Sequence, residues 1–122
     1  MKLDMDLARE ILVKIEDGPE FNGLGHAKVT VEGKPAQEVS YHVLQLHEAG
    51  LVTMQDVSNT TDGLVCWVGR LTWAGHQFLA AARDDGLWRK AKKITLEKTG
   101  GLTFEGLKTV LMKLITDALT GG

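Results

Sequence analysis

A helical run bounded by Pro35 and Gly50, followed at once by two β-rich runs split at Asp62-Gly63, narrows the fold of this 122-residue chain more than any other feature. Pro35 suits the first turn of a helix, where its missing N–H costs nothing. Gly50 suits the position just past a helix end, which favours a positive φ. On a 100° wheel Val39, Val43, Leu46 and Gly50 fall together and are expected to face the core, while Tyr41, Leu44, Gln45 and Glu48 fall opposite. Leu51 to Val57 and Leu64 to Leu71 then read as two strands of a hairpin, with Asp62-Gly63 as its turn.

The flanking segments extend this pattern. Asp4 is expected to cap a helix from about Met5 to Asp17, whose Met5, Ala8, Ile11, Leu12 and Ile15 follow helical spacing before Gly18-Pro19 ends it. Residues 19–25 read as a loop, and His26 to Val31 alternates around Ala27, Val29 and Val31 as a short strand. Thr72 is expected to cap a helix through Trp73, Phe78, Leu79 and Ala82 that continues unevenly to about Glu97, where Gly100-Gly101 breaks it. Thr103 caps a last helix with a wide apolar stripe from Phe104 to Ala118. Helix, strand, helix, hairpin, helix, helix predicts a mainly helical α+β fold: a winged helix-turn-helix with the hairpin as wing and extra C-terminal helices. Residues 1–99 are expected to form the winged-helix domain, and 100–122 a helix packed on that domain or at a dimer contact.

Two stretches carry a family resemblance. Ser40-Tyr41-His42-Val43-Leu44-Gln45-Leu46-His47-Glu48-Ala49-Gly50-Leu51-Val52 resembles the recognition helix and following strand of bacterial winged-helix regulators of the ArsR and MarR kind. Leu71-Thr72-Trp73-Ala74-Gly75-His76-Gln77-Phe78-Leu79, then Arg83-Asp84-Asp85 and Trp88, is the more particular stretch. With the opening Met-Lys-Leu-Asp-Met-Asp-Leu it resembles the YjcQ-like domain of unknown function, a family of small bacterial and prophage proteins. The resemblance implies a winged helix and a phage or mobile-element origin, and no particular activity. In the regulators, positions matching Leu44 and His47 are commonly Lys or Arg turned toward DNA; here neither is.

Charge sharpens that departure. The net charge is −2, and its distribution is uneven. Residues 1–34 carry five bases against seven acids, and residues 70–122 carry nine against five. Residues 35–69 carry no Lys or Arg but contain Glu38, Glu48, Asp56 and Asp62. Lys and Arg contacts to phosphate supply most non-specific affinity for DNA, so an acidic helix and wing are expected to repel it. With 43% apolar and 25% charged residues the chain belongs among ordinary globular proteins, and no apolar run approaches the roughly 18 residues of a membrane span. The acidic start argues against a secretory signal, and a single cysteine against disulfides or a thiolate zinc cluster, so a cytoplasmic protein is expected.

The residues give little support to catalysis. His42 and His47, five apart, do not form the i, i+4 pair of a helical metal site, and no His-Glu-x-x-His or paired cysteine accompanies them. Cys66, between Val65 and Trp67, reads as a small apolar filler on a strand. His76 is expected to pack beside Trp73 while hydrogen-bonding. Gly23-Leu24-Gly25 and Gly100-Gly101 lack the ending of a phosphate loop. Asp84-Asp85 reads as a solvated face or a partner of Arg83 or Arg89. No enzyme, cofactor or metal is therefore expected.

The expected function is a non-catalytic module that binds a protein through Gln37, Tyr41, Leu44, Gln45, Glu48, Asn59 and Asp62. For a phage-type chain the partner would be a basic surface on a host nucleic-acid-handling or defence machine. The alternative is a dimeric DNA-binding regulator, whose contacts would have to come from Arg89, Lys90, Lys92 and Lys93. A homodimer is expected near Phe104, Leu107, Leu111 and Leu114, because their stripe is wider than one neighbouring element covers.

Overall fold

The computed structural model describes residues 1–121, which are mainly helical with one two-stranded antiparallel sheet. Its described elements are α1 (Met5–Asp17), α2 (Ala36–Glu48), β1 (Val52–Asp56), β2 (Cys66–Leu71), α3 (Trp73–Ala82), α4 (Asp85–Thr99) and α5 (Phe104–Leu119). They form two compact units, residues 1–76 and residues 77 onward, divided inside α3. No described helix is long and apolar enough to cross a membrane.

In the first unit, Asp4 caps α1 through Oδ1, which accepts from the N–H groups of Asp6 and Leu7 at 3.0 and 3.2 Å. Ile11 and Leu12 are fully buried, and Met5, Leu7, Ala8 and Ile15 nearly so. The buried face of α2 is Val39, Val43 and Leu46, as the wheel predicts, but Gly50 is exposed at φ +80° and ends the helix instead of packing. Pro35 stands just before α2, as its cap residue. Residues 18–35 hold no helix. No helix therefore precedes α2 across a short turn, as the expected helix-turn-helix would require of a recognition helix there.

The hairpin turns over Asn59–Gly63, with paired bonds between Asn59 and Gly63 of 3.1 and 2.9 Å and Gly63 at φ +74°. Its register slips once: Val52 faces Leu71 while Met54 faces Val68. Gly69 and Arg70 thus oppose Thr53 alone, and the Thr53 hydroxyl accepts from the Arg70 N–H at 3.1 Å. The bulge flips the side-chain alternation, so that Cys66, Val68 and Leu71 are all buried while Trp67 and Arg70 point out. The strand expected over His26 to Val31 is reduced to a single bridge, with reciprocal Ala27–Val68 bonds of 2.9 and 2.8 Å. Val29 and Val31 are nevertheless buried, so the alternation reported burial without a ladder.

The second unit corrects the long helix expected from Thr72 to Glu97. The chain breaks after Ala82, and Asp84, in extended conformation, accepts from the Leu87 N–H at 2.8 Å to start α4 afresh. Asp84 is thus a cap and not simply a solvated acid. Gly100, at φ +73°, ends α4, and Thr103 Oγ1 accepts from the Gly106 N–H at 3.0 Å to start α5. The α4 and α5 helices pack on each other. Phe78 meets Trp88 and Phe104 edge-on, at ring-centre distances of 6.3 and 5.9 Å.

Candidate partner-binding face

With Val39, Val43 and Leu46 turned inward, the opposite side of α2 presents half-buried Tyr41, Leu44 and Gln45 and exposed Glu48. Gln37, in the first turn, donates from Nε2 to the Asp62 carbonyl at 3.0 Å. This bond joins the start of α2 to the hairpin loop and brings two of the expected site residues together. Gly63 is favoured beside it by its φ of +74°, and an added Cβ would also push the Gln37 amide aside.

Asn59 serves the loop itself. Its Oδ1 accepts from the Thr61 and Asp62 N–H groups at 3.0 and 2.7 Å, and its Nδ2 donates to Asp62 Oδ2 at 3.2 Å. The Asp56 carboxylate accepts from the Ser58 N–H at 2.9 Å. Bonding by the Ser58 side chain, and then by its backbone, holds the Asp56 carboxyl below the usual carboxylate range. Glu38 is half-buried with its carboxylate 4.0 Å from Lys34 Nζ, which leaves Glu48, Asp56 and Asp62 as the exposed acids of residues 35–69.

Trp67, 37% exposed opposite Gln55, is an outward aromatic not included among the expected contacts. Its place next to Cys66 on an alternating strand was the available signal. Cys66 itself is buried, and burial, followed by the Asp56 charge, pushes its thiol up. That is the opposite of an activated thiolate.

His42 proves to be a structural pin. It is fully buried; Nε2 accepts from the Asp4 N–H at 2.8 Å and Nδ1 donates to the Glu38 carbonyl at 2.7 Å. Since an amide N–H can only donate, Nδ1 carries the ring proton. The ring thus ties the α1 cap to α2. His47 is exposed and donates from Nδ1 to the Val52 carbonyl at 3.2 Å. His76 is exposed too, with Nδ1 3.9 Å from Glu16 Oε2. No group of three or more His, Cys, Asp or Glu among the described residues could hold a metal ion.

The basic cluster lies on α4. Arg89, Lys90 and Lys93 are exposed, whereas Lys92 is half-buried, with Nζ 5.9 Å from the centre of the buried Trp88 ring. Of the residues expected at a dimer contact, two are buried within the chain and two are half-buried. Leu107 and Leu111 are fully buried, Leu114 is half-buried, and Phe104 packs on Phe78. Part of the α5 stripe packs on α4 and Phe78 within its own unit; Val110 and Ile115 are half-buried, and Met112, Ala118 and Leu119 are exposed.

Fold and site together define a small α+β protein whose hairpin and preceding helix share an acidic surface. The chain belongs to the family described as "Hypothetical protein (DUF2513)", whose model matches residues 2–101. The family indicated by the resemblance was YjcQ-like; the one that matches is DUF2513, and what the resemblance implied in common with it is a domain of unknown function. The chain is also similar to an uncharacterized protein of Haemophilus influenzae, 32% identical over 120 residues and covering 98% of this chain and 99% of that one. No solved structure matches.

Proposed function

We propose that the chain is a non-catalytic interaction module, of winged-helix type without the first helix of the helix-turn-helix, whose α2–hairpin face docks on a basic protein surface. One observation carries this reading: residues 35–69 hold no lysine or arginine and expose Glu48, Asp56 and Asp62. Phosphates would meet uncompensated negative charge there, whereas a basic protein would meet its complement. Tyr41 and Leu44 supply apolar anchors, and Gln37, Gln45 and Glu48 a polar rim.

The exposed Arg89, Lys90 and Lys93 favour a second reading, a DNA-binding regulator that uses α4. Two assays separate the readings. In capture from bacterial lysate, the native chain retains a protein after nuclease treatment, and the Leu44→Lys/Asp62→Lys variant loses it. In duplex binding at several salt concentrations, the same variant gains weak, salt-sensitive affinity from its two new phosphate contacts. Tight, sequence-specific duplex binding by the native chain, lost when Tyr41 and Gln45 are changed, would overturn the proposal.

A further inference from the structure

Folding explains only part of the segment Leu71-Thr72-Trp73-Ala74-Gly75-His76. Leu71 is buried. The Thr72 hydroxyl accepts from the Gly75 N–H at 3.0 Å and donates to the Gly50 carbonyl at 2.6 Å. Gly75 leaves room for the Leu51 carbonyl, which a Cβ would strike. Trp73, 77% exposed, and His76, one turn later on the same helix face, have no such explanation.

His76 lines a pocket of about 270 Å³ in the first unit, together with Glu16, Phe21, Asn22, Arg70 and Leu71. Arg70 is held in place there. Its Nη1 donates to the Leu71 carbonyl at 2.9 Å, and its stem passes Gly23, where a Cβ would stand 2.9 Å from Arg70 Cδ. Gly23 adopts φ +83° and donates from its N–H to the Gly69 carbonyl at 3.1 Å, so the loop lies against the arginine stem as only glycine allows. Most of the guanidinium donors stay available as a planar fork. Asn22 Oδ1 accepts from the Leu24 N–H at 3.0 Å, which leaves the Asn22 amide NH2 to donate. Glu16 stands on the Nδ1 side of His76, 3.9 Å away, and leaves Nε2 for a ligand. Phe21, half-buried, and Leu71 line the apolar part.

We propose that this pocket binds a small organic oxyanion, a carboxylate or a phosphate monoester, with Arg70, Asn22 and His76 at the charged end and Phe21 against the apolar end. The site is independent of the reading of the α2–hairpin face. Glu16 offsets the Arg70 charge, so the site rests on the donor geometry of Arg70, Asn22 and His76 rather than on net charge. A neighbouring pocket of about 380 Å³, which shares Phe21 and sets Lys14 and Lys28 against Asp17 and Glu20, is equally balanced and supplies a control.

The full chain is titrated with benzoate and with phenyl phosphate, with benzyl alcohol as the neutral comparison, and followed by ¹H–¹⁵N NMR. Saturable shifts at Asn22, Arg70 and His76 are expected with at least one anion and not with the alcohol; the tighter anion tells carboxylate from phosphate ligands. Arg70→Gln weakens binding by about tenfold or more, as loss of a charge-assisted contact should. His76→Gln, a change at an exposed position, weakens it less and gives an answer even if Arg70→Gln disturbs the loop; Lys28→Gln leaves it unchanged. Shifts that never saturate, that follow benzyl alcohol equally, or that survive both Arg70→Gln and His76→Gln overturn the assignment.

Discussion

The two units of this chain differ in sign and in construction. Residues 1–76 carry six bases against eleven acids, a net −5, while residues 77–122 carry eight against five, a net +3. The first unit closes through segments far apart in the chain: α1 against α2, and both against the hairpin, with His42 bonded to an amide 38 residues away. The second closes through neighbours, α4 on α5, with Phe78 between two aromatic rings. The contrast teaches that the acidic face is carried by the unit with exacting long-range contacts, and the basic stripe by a simpler helix pair. A substitution should therefore cost more in the first unit than an analogous one in the second.

The sharpest test compares two glycines. Gly75→Ala drives a Cβ into the Leu51 carbonyl, a backbone atom that cannot turn aside, and is expected to destabilise the fold by about 3 kcal/mol in chemical denaturation. Gly106→Ala places its Cβ 3.0 Å from Thr103 Oγ1 and 3.1 Å from Thr95 Cγ2. That crowding is offset by the better helix propensity of alanine, so the net change should stay below about 1 kcal/mol. Equal losses would break the contrast.

Buried polar groups give a second pair. His42→Leu keeps bulk but leaves the Asp4 N–H without its partner, for an expected loss of about 2 kcal/mol and faster hydrogen exchange at the Asp4 amide. Thr95→Val removes a hydroxyl that donates within α4 to the Ala91 carbonyl at 2.7 Å. The cost should be under about 1 kcal/mol, because no distant group is left without its bond.

Charge gives a third contrast. Replacing Arg89, Lys90 and Lys93 together by Gln should lower whatever weak duplex affinity the chain has at low salt, and reduce the log–log salt slope by about 0.9 per phosphate contact removed. An unchanged slope would show that α4 makes no such contacts.

The smallest effect concerns Asp56. A carboxyl whose folded value lies below its unfolded one stabilises the fold above the unfolded value, and this contribution is lost as pH falls through the lower, folded one. Ser58→Ala removes the Ser58 side-chain bond, the largest cause of that depression, so carboxyl-detected NMR should show Asp56 titrating closer to the ordinary range. No change would mean that the backbone N–H alone holds it down.

Much of the fold was legible because its signals are local. Asp4 followed by helical spacing, with Gly18-Pro19 at the end, places α1 where it is found, and Asp62-Gly63 marks the hairpin loop whose final residue needs a positive φ. The break before α4 was legible too, in Asp84-Asp85-Gly86, but the apolar residues on either side suggested one continuous helix. His42 also lay in plain view, between Val39 and Leu46 on the buried stripe, yet nothing near it in sequence indicates the Asp4 amide that makes its burial affordable.

What the sequence by itself determined is therefore α1 with its Asp4 cap, the extent of α2, the hairpin, α5 with its Thr103 cap, and the absence of positive charge from residues 35–69, since each depends on residues within a turn or two of one another. Only the tertiary structure decided the rest. The bulge opposite Thr53 exists because two strands must both bury their apolar residues against the helices, which no single strand's alternation can foresee. Leu107 and Leu111 of the α5 stripe are buried where α4 packs against that helix. Asn22, Arg70 and His76 line one pocket because a loop, a strand end and a helix start converge there, and convergence of distant segments is set by packing rather than by any spacing along the chain.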